Sequence, residues 1–231
     1  MEPEIGYVQG LGYMVAILLM YLDKEEAFSI MLKIFNGKKY KMKEFYTKNM
    51  PGLRCSFYVF LRLFRSQMPK LHDHLLSENF IPSFYATKWF MTIYSNNMPI
   101  ELTLRIWDMF FVEGKECLYR VALAFMKINE KQLLASDFEK LSEILTKYQK
   151  KGTKIKYPNL KPKDDTQNSQ AISNINKILY DNQEHSQTLE EMIEEVITMA
   201  GKVDVTPSKI EKYEKEFANQ PKPEVVQYCL C

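Results

Sequence analysis

The sequence predicts an all-α fold, and three observations support this prediction. Apolar residues recur at helical spacing along the chain, and no segment shows the sustained alternation that a β-strand requires. Proline and glycine stand between the periodic segments, where they begin or end helices. With 231 residues, 46% of them hydrophobic and 13% aromatic, the chain can form one sizeable core plus an appendage.

The first helix is predicted over residues 13–22, which are apolar on all sides and follow a bend marked by Gly10 and Gly12. A helix without a polar face is expected to be enclosed by others. The uncharged run 6–22 approaches the roughly 20 residues of a membrane span. Its acidic flanks, its glutamine and its three glycines favour a buried helix, so an integral membrane protein ranks as the weakest alternative.

The segment 99–114 is predicted as a central buried helix. Pro99 begins it, Gly114 follows its end, and apolar residues repeat within it at near-helical spacing. Trp89 and Phe90 are predicted as core anchors that precede this helix. Asp108 is interpreted as a structural group that hydrogen-bonds or pairs with Arg105. Further helices are predicted at residues 27–34, 53–67, 117–126 and 137–148, and the last three of these carry an apolar face.

The composition changes after Lys151, where prolines and polar residues predict a linker. We therefore divide the chain into a domain at 1–151 and a linker with a partly helical or disordered tail at 152–231. Helices are predicted in the tail at 171–180, 188–200 and 207–217. The second of these, with a capping box at Thr188 and a stop at Gly201, could dock on the domain, pair with another helix or bind a partner's groove.

Charge and cysteine content exclude several classes of protein. The net charge is only +2, and no basic block with interleaved aromatics forms a convincing nucleic-acid stripe. The lysine-rich residues 147–156 are interpreted as a solvated exit from the domain, with a weak anionic-membrane contact as the better functional alternative. Four cysteines without metal-ligand spacing or disulfide density fit a reducing cytosol.

The chain contains neither a phosphate-binding glycine loop nor a Cys/His metal set, so no cofactor is expected. His72 and His74 stand two residues apart, point to different faces of a helix and are interpreted as surface residues. The ending Cys229-Leu230-Cys231 is similar to the CxC tail of doubly prenylated Rab proteins, but two ordinary thiols are the preferred interpretation.

Gln9 lies in a glycine-flanked stretch, residues 5–10, directly before the first apolar run. Glycines let the main chain bend and let a foreign surface approach it closely. A carboxamide carries a donor and an acceptor and does not titrate, so it can orient a water molecule toward a phosphoryl group. Taken alone, a glutamine in a turn is more often structural than catalytic.

Two stretches read together resemble a known family. Residues 4–28 and 88–126 resemble the second and third signature motifs of the TBC domain, the Rab GTPase-activating domain. The agreement rests on Tyr7-x-Gln9, on Trp89-Phe90 and Pro99, and on Ile106-Trp107-Asp108 through Gly114. It extends over about residues 4–145.

The resemblance implies an all-α TBC-type domain that accelerates GTP hydrolysis by a GTP-bound Rab-like GTPase. Gln9 corresponds to the glutamine finger, and Tyr7, Val8 and Gly10 shape the loop that meets the nucleotide pocket. Trp89, Trp107, Asp108 and Gly114 belong to the structural motif. GTP and Mg²⁺ would belong to the partner, so the chain would be an enzyme activator without a cofactor. It would be cytoplasmic and reach endomembranes peripherally through that partner.

The family's arginine finger comes from an IxxDxxR motif that precedes the glutamine, and we expect this chain to begin after it. That arginine is worth roughly 10³ to 10⁵ in rate, so a chain with only the glutamine is expected to be severely impaired. An incomplete gene model is preferred over a true truncation product or an inactive binding module, and a catalytically impaired Rab-binding or scaffolding protein remains the alternative function. We also expect uncovered apolar faces, including parts of residues 13–22, and poor solubility. The arginines in helical patterns are interpreted as solvated or salt-bridged: Arg54, Arg62, Arg65, Arg105 and Arg120.

Overall fold

The computed structural model describes residues 8, 10–96, 98–146 and 186–220. Within these ranges the chain forms α-helices, one short 3-10 helix at Lys43–Phe45 and no strand, which confirms the predicted all-α class. In chain order the helices are α1 Leu11–Leu19, α2 Lys24–Asn36, α3 Pro51–Gln67, α4 Pro69–Ser77, α5 Pro82–Met91, α6 Ile100–Glu113, α7 Glu116–Ile128, α8 Glu130–Leu134, α9 Phe138–Thr146, α10 Ser186–Lys202 and α11 Pro207–Ala218.

Local sequence signals explain where these helices begin. At the start of α2, the Asp23 carboxylate accepts a hydrogen bond from the Glu26 amide at 2.8 Å, and the Glu26 carboxylate accepts one from the Asp23 amide at 3.4 Å. Helices α3, α4, α5 and α11 carry proline in the first turn, where its missing N–H leaves no bond unmade. Helix α6 starts after Pro99 and ends at Gly114, as predicted.

The centre of the core is α7 rather than the predicted α6. Every residue from Cys117 to Met126 is buried except Arg120. Helix α6 is amphipathic, because Phe111 is 36% exposed and Val112 is 76% exposed. The prediction was wrong because apolar spacing identifies the inward face of a helix but not the number of its neighbours, and α7 packs against α5, α6, α8 and α10.

The hydrophobic core extends past residue 151. Helix α10 lies against α7 and α6, and α11 lies against α3. Five apolar side chains from these helices and the segment between them are buried in the main core. Of the three alternatives for α10, docking on its own chain is therefore the one observed. The helix begins at Ser186, so Thr188 lies inside it rather than at its cap, and Gly201 lies within its last turn. The helix predicted at 171–180 lies outside the described residues. The buried side chains are Val196, Ala200, Val203, Val205 and Ile210.

Polar contacts also attach the C-terminal helices to the rest of the chain. Arg120 donates to the Val205 carbonyl at 2.8 Å, and Lys115 Nζ lies 2.6 Å from Glu214 Oε1. The side chain of Gln67 forms two hydrogen bonds with the backbone of Asp204, at 3.0 and 3.2 Å. The contacts of Arg120 and Lys115 use partly buried groups, so they stabilise the docked helices more than the exposed contacts of Gln67 with Asp204 do.

Helix α1 is only partly covered. Met14, Ile17 and Leu18 are buried, but Leu19 is 41% exposed, and Tyr21 beyond the helix is 68% exposed. The expectation of a fully enclosed helix is thus wrong for this part of the chain, whereas the expectation of uncovered apolar faces is confirmed. Among the described residues, no helix has both the length and the apolar character needed to cross a bilayer.

Candidate functional site

The bend before α1 is shaped by Gly10. Its φ of +108° lies in the region that residues with a side chain rarely adopt, and its carbonyl accepts from the Tyr13 amide at 3.1 Å. A Cβ at Gly10 would lie 3.2 Å from Cγ2 of Thr92. Val8 is half-buried, packs against the core and accepts from the Leu11 amide at 3.3 Å. Tyr7 and Gln9 lie outside the described residues.

The turn that faces Gly10 follows α5, and we call residues 92–96 the strained turn. Ile93 and Tyr94 have φ values of +49° and +62°. Consecutive left-handed residues with bulky side chains are uncommon, cost of the order of 1–3 kcal/mol each, and concentrate at functional sites. Sequence reasoning missed this turn because neither isoleucine nor tyrosine is typical of such a backbone.

Three aromatic side chains hold the strained turn in place. The Trp107 indole N–H donates to the Ile93 carbonyl at 3.1 Å, and the Tyr94 hydroxyl donates to the Leu118 carbonyl at 2.7 Å. The Tyr94 ring stacks on Trp89 with 5.9 Å between centroids. Burial raises the pKa of Tyr94 well above its usual value. Within the described residues the Trp89 indole N–H has no acceptor, so Trp89 contributes through ring packing.

Thr92 connects the strained turn to the bend. Its hydroxyl donates to the Lys88 carbonyl at 2.7 Å and accepts from the Asn96 amide at 3.3 Å, while its methyl group faces Gly10. The rigid turn therefore supports the main chain at Gly10, directly after position 9. Trp89 and Trp107, the two tryptophans of the predicted structural motif, both contact the strained turn. Their separation in the sequence did not show that they share this neighbour.

Gly114 serves a different purpose from Gly10. Its φ is +74°, and a Cβ there would lie 2.6 Å from the Lys39 carbonyl oxygen. Lys39 Nζ in turn donates to the Phe111 carbonyl at 2.9 Å. The close approach lets the segment between α2 and α3 cross the end of α6. Only glycine permits this contact without displacing the backbone.

Asp108 is exposed, and it forms no hydrogen bond or ion pair within the described residues. The expected pairing with Arg105 is therefore wrong. Both side chains are exposed, and a surface pair gains too little to hold two flexible groups in one geometry. Asp108 instead lies at the rim of a groove, beside Trp107 and Phe111.

That apolar groove, of about 550 Å³, lies between α1, α2 and α6. Its wall is largely apolar, with Asp108 as its charged residue. Helix α1 spans about 13 Å at 1.5 Å per residue, so the bend at its start and the groove along its last turns are close enough to be covered by one protein partner. The groove is lined by Ile17, Leu18, Tyr21, Leu22, Ile30, Leu104, Trp107, Asp108 and Phe111.

The other candidate groups serve structural purposes. Arg62 pairs with Glu216 at 3.1 Å, and Arg120 pairs with Glu113 at 3.1 Å, so these two arginines are salt-bridged helix residues as expected. Burial raises the pKa of Cys55 to about 11, which makes its thiol unreactive at neutral pH. The described residues contain no cluster of His, Cys, Asp and Glu that could hold a metal ion.

The two histidines are half-buried rather than on the open surface. His72 lies 2.9 Å from Asp73 and against the ring of Phe64, and His74 lies 2.8 Å from the Ser136 carbonyl. Each imidazole is thus occupied by a different neighbour.

Comparison with known proteins identifies the family. The family model for the Rab-GTPase-TBC domain matches residues 1–134 of this chain. The GTPase-activating protein GYP5 of Eremothecium gossypii is 39% identical over 145 residues, which are 62% of this chain and 17% of that protein. The Ecotropic viral integration site 5 protein homolog of Homo sapiens is 35% identical over 138 residues, 60% of this chain and 17% of that protein. The chain thus spans less than a fifth of the length of these curated relatives.

Solved structures agree with this match. The flagellar RabGAP TBC domain of Chlamydomonas superposes with a TM-score of 0.53 at 29% identity, covering 62% of this chain and 47% of that one. The Ypt/Rab-GAP domain of Gyp1p superposes with a TM-score of 0.55 over 87% of this chain and 62% of that one, and its 16% identity supports the fold alone. With a family model that covers more than half of its residues, the chain belongs to the Rab-GTPase-TBC domain family.

Proposed function

We propose that this chain accelerates GTP hydrolysis by a GTP-bound Rab-like GTPase, with Gln9 orienting the attacking water. The observation that carries the proposal is the packing of Gly10 against the strained turn, because a rigid support directly after position 9 would limit the directions that a glutamine side chain can take. Family membership and the name of GYP5, a GTPase-activating protein, support the same conclusion.

In this mechanism the chain supplies positioning and no covalent chemistry. The Gln9 carboxamide accepts a hydrogen bond from the water and donates one toward the phosphoryl group, which aligns the water for attack. Tyr7, Val8 and Gly10 shape the loop against the nucleotide pocket. GTP and Mg²⁺ belong to the GTPase, so the chain is an activator without a cofactor of its own. The protein would work in the cytoplasm and at endomembranes that carry the GTPase.

A Rab-binding or scaffolding protein is the second candidate. The apolar groove favours this candidate, because such a groove can bind a partner protein without any group that takes part in phosphoryl transfer. Full acceleration also needs a positively charged side chain that contacts the phosphoryl group. Arg62 and Arg120 are engaged in ion pairs within the chain, so they are poor candidates for this role.

Single-turnover GTP hydrolysis with a panel of Rab proteins separates these candidates. The chain should accelerate hydrolysis by at least one Rab, and Gln9→Ala should return the rate to near the intrinsic rate of that Rab, because the attacking water then loses the group that orients it. Gln132→Ala, at an exposed position of α8, is the matched control and should change nothing. Binding without acceleration by the parent chain would support the scaffold, and full activity of Gln9→Ala would remove Gln9 from the mechanism.

A further inference from the structure

The positive charge of the chain is concentrated in one segment. Residues 33–50, which we call the lysine segment, contain six lysines, one glutamate and no arginine, a net charge of +5. The whole chain carries only +2, so the remaining residues are acidic on balance. The lysines are Lys33, Lys38, Lys39, Lys41, Lys43 and Lys48.

The aromatic side chains of the lysine segment face the core. Phe45 and Tyr46 are buried, and Phe35 stacks on Tyr46 with 5.0 Å between ring centroids. Tyr40 lies against Phe110 at 5.0 Å. The Tyr46 hydroxyl donates to the Met91 carbonyl. These contacts anchor the backbone, and because the rings are used for packing they are not available to stack on nucleic-acid bases.

Five of the six lysines are exposed, and Lys43 is half-buried. Lys33, Lys38, Lys41 and Lys48 are exposed, and none of them forms an ion pair within the described residues. Lys39 is also exposed and donates to a neutral carbonyl. The acidic groups that act on this region are Glu44 within the segment, Glu116 facing Lys39 and Glu211 facing Lys41. These three carboxylates against six lysines leave a net charge of +3 on this region.

The residue types indicate which anionic partner fits. Protein interfaces are enriched in arginine, whose planar fork binds carboxylates bidentately, and depleted in lysine. A segment with six lysines and no arginine instead suits a diffuse field of negative charge. Met50, at the end of the segment beside Lys48, is 39% exposed, and a membrane interface readily accepts such a side chain.

We propose that the lysine segment binds the anionic phospholipid surface of a membrane directly, without the GTPase. Each lysine brought close to an anionic leaflet strengthens binding about fivefold, so removal of three charges weakens it about 100-fold. The attraction is screened at high ionic strength, since the Debye length falls to about 3 Å at 1 M salt. Binding through this segment holds the bend of α1 near the membrane, because Tyr46 of the segment contacts Met14 of α1 at 3.4 Å.

Vesicle flotation with the full chain tests the proposal, since aggregated protein does not float. The chain should float with vesicles of phosphatidylcholine and phosphatidylserine, and not with phosphatidylcholine alone. The triple variant Lys38→Gln, Lys41→Gln, Lys48→Gln should lose about 100-fold in affinity. A matched variant, Lys70→Gln, Lys131→Gln, Lys140→Gln, removes three exposed lysines from α4, α8 and α9 and should float as the parent does.

Three results would overturn the proposal. The first is equal flotation of the parent on neutral and anionic vesicles, and the second is equal loss in the two triple variants. The third is a lysine-segment variant that still floats but has lost affinity for a GTP-bound Rab in solution, which would identify an acidic protein surface as the partner. Because no GTPase is present during flotation, failure of the proposed catalytic function leaves this test intact.

Discussion

Gly10→Ala is expected to destabilise the protein by about 1–2 kcal/mol. A residue with a Cβ in a left-handed conformation costs about that much, and the φ of Gly10 is +108°. The new methyl group would also lie 3.2 Å from Cγ2 of Thr92, close enough that the threonine must shift by a few tenths of an ångström. Urea denaturation followed by circular dichroism measures the change in the free energy of unfolding.

Two further variants separate the backbone effect from the steric effect. Gly12→Ala lies two residues away in α1, where a Cβ meets nothing within 4 Å, and should stabilise the protein by about 0.5–1 kcal/mol. Adding Thr92→Ser to Gly10→Ala removes the facing methyl group, so it should lessen the steric part of the loss and leave the backbone part. If Gly10→Ala is as stable as the parent, or if both alanines destabilise equally, the assignment of the bend to Gly10 is wrong.

Four further predictions concern the core and the surface. Trp107→Phe leaves the buried Ile93 carbonyl unpaired and should cost about 1–3 kcal/mol in chemical denaturation; an unchanged midpoint would contradict this. Lys115→Met leaves the Glu214 carboxylate without its partner and should cost a similar amount, about 1–3 kcal/mol, while a second change of Glu214 to Leu should recover most of it. Burial raises the pKa of Tyr119 to about 12 from 10.0, so its contribution is complete below pH 10 and declines as the pH rises toward 12. The free energy of unfolding should be lower at pH 11 than at pH 8, and Tyr119→Phe should lessen this difference without removing it, because burial also raises the pKa of Tyr94. The uncovered apolar groove should make the full chain self-associate, and a monodisperse monomer with a cooperative melt in light scattering and calorimetry would contradict that.

The sequence predicted helices where start signals and apolar spacing agree. Helix α3 has Pro51 in its first turn and phenylalanines at helical spacing, and α6 lies between Pro99 and Gly114. Both were identified in type and approximate extent, because these signals act over a few residues. The Rab-GTPase-TBC family was recognised for a related reason, since its motifs are short and contiguous.

Long-range features could not be predicted in this way. The position of α7 at the centre depends on how many helices surround it, which apolar spacing does not encode. The left-handed residues Ile93 and Tyr94 depend on support from Trp107 and Leu118, which are distant in sequence. The composition change after residue 151 suggested the end of the domain, although the chain returns to the core with α10. Asp108 and Arg105 have compatible spacing for an ion pair, but spacing alone does not make exposed groups pair.

Deletion experiments on this protein need a different boundary from the one that composition suggests. Burial of Val196, Val203, Val205 and Ile210 contributes on the order of 5–10 kcal/mol, which is comparable to the entire stability of a typical domain. A fragment that stops at residue 151 would lose these side chains and the carbonyl that receives Arg120. Inactivity of such a fragment would report an unfolded protein, and it would give no reason to assign a recognition motif to the residues removed.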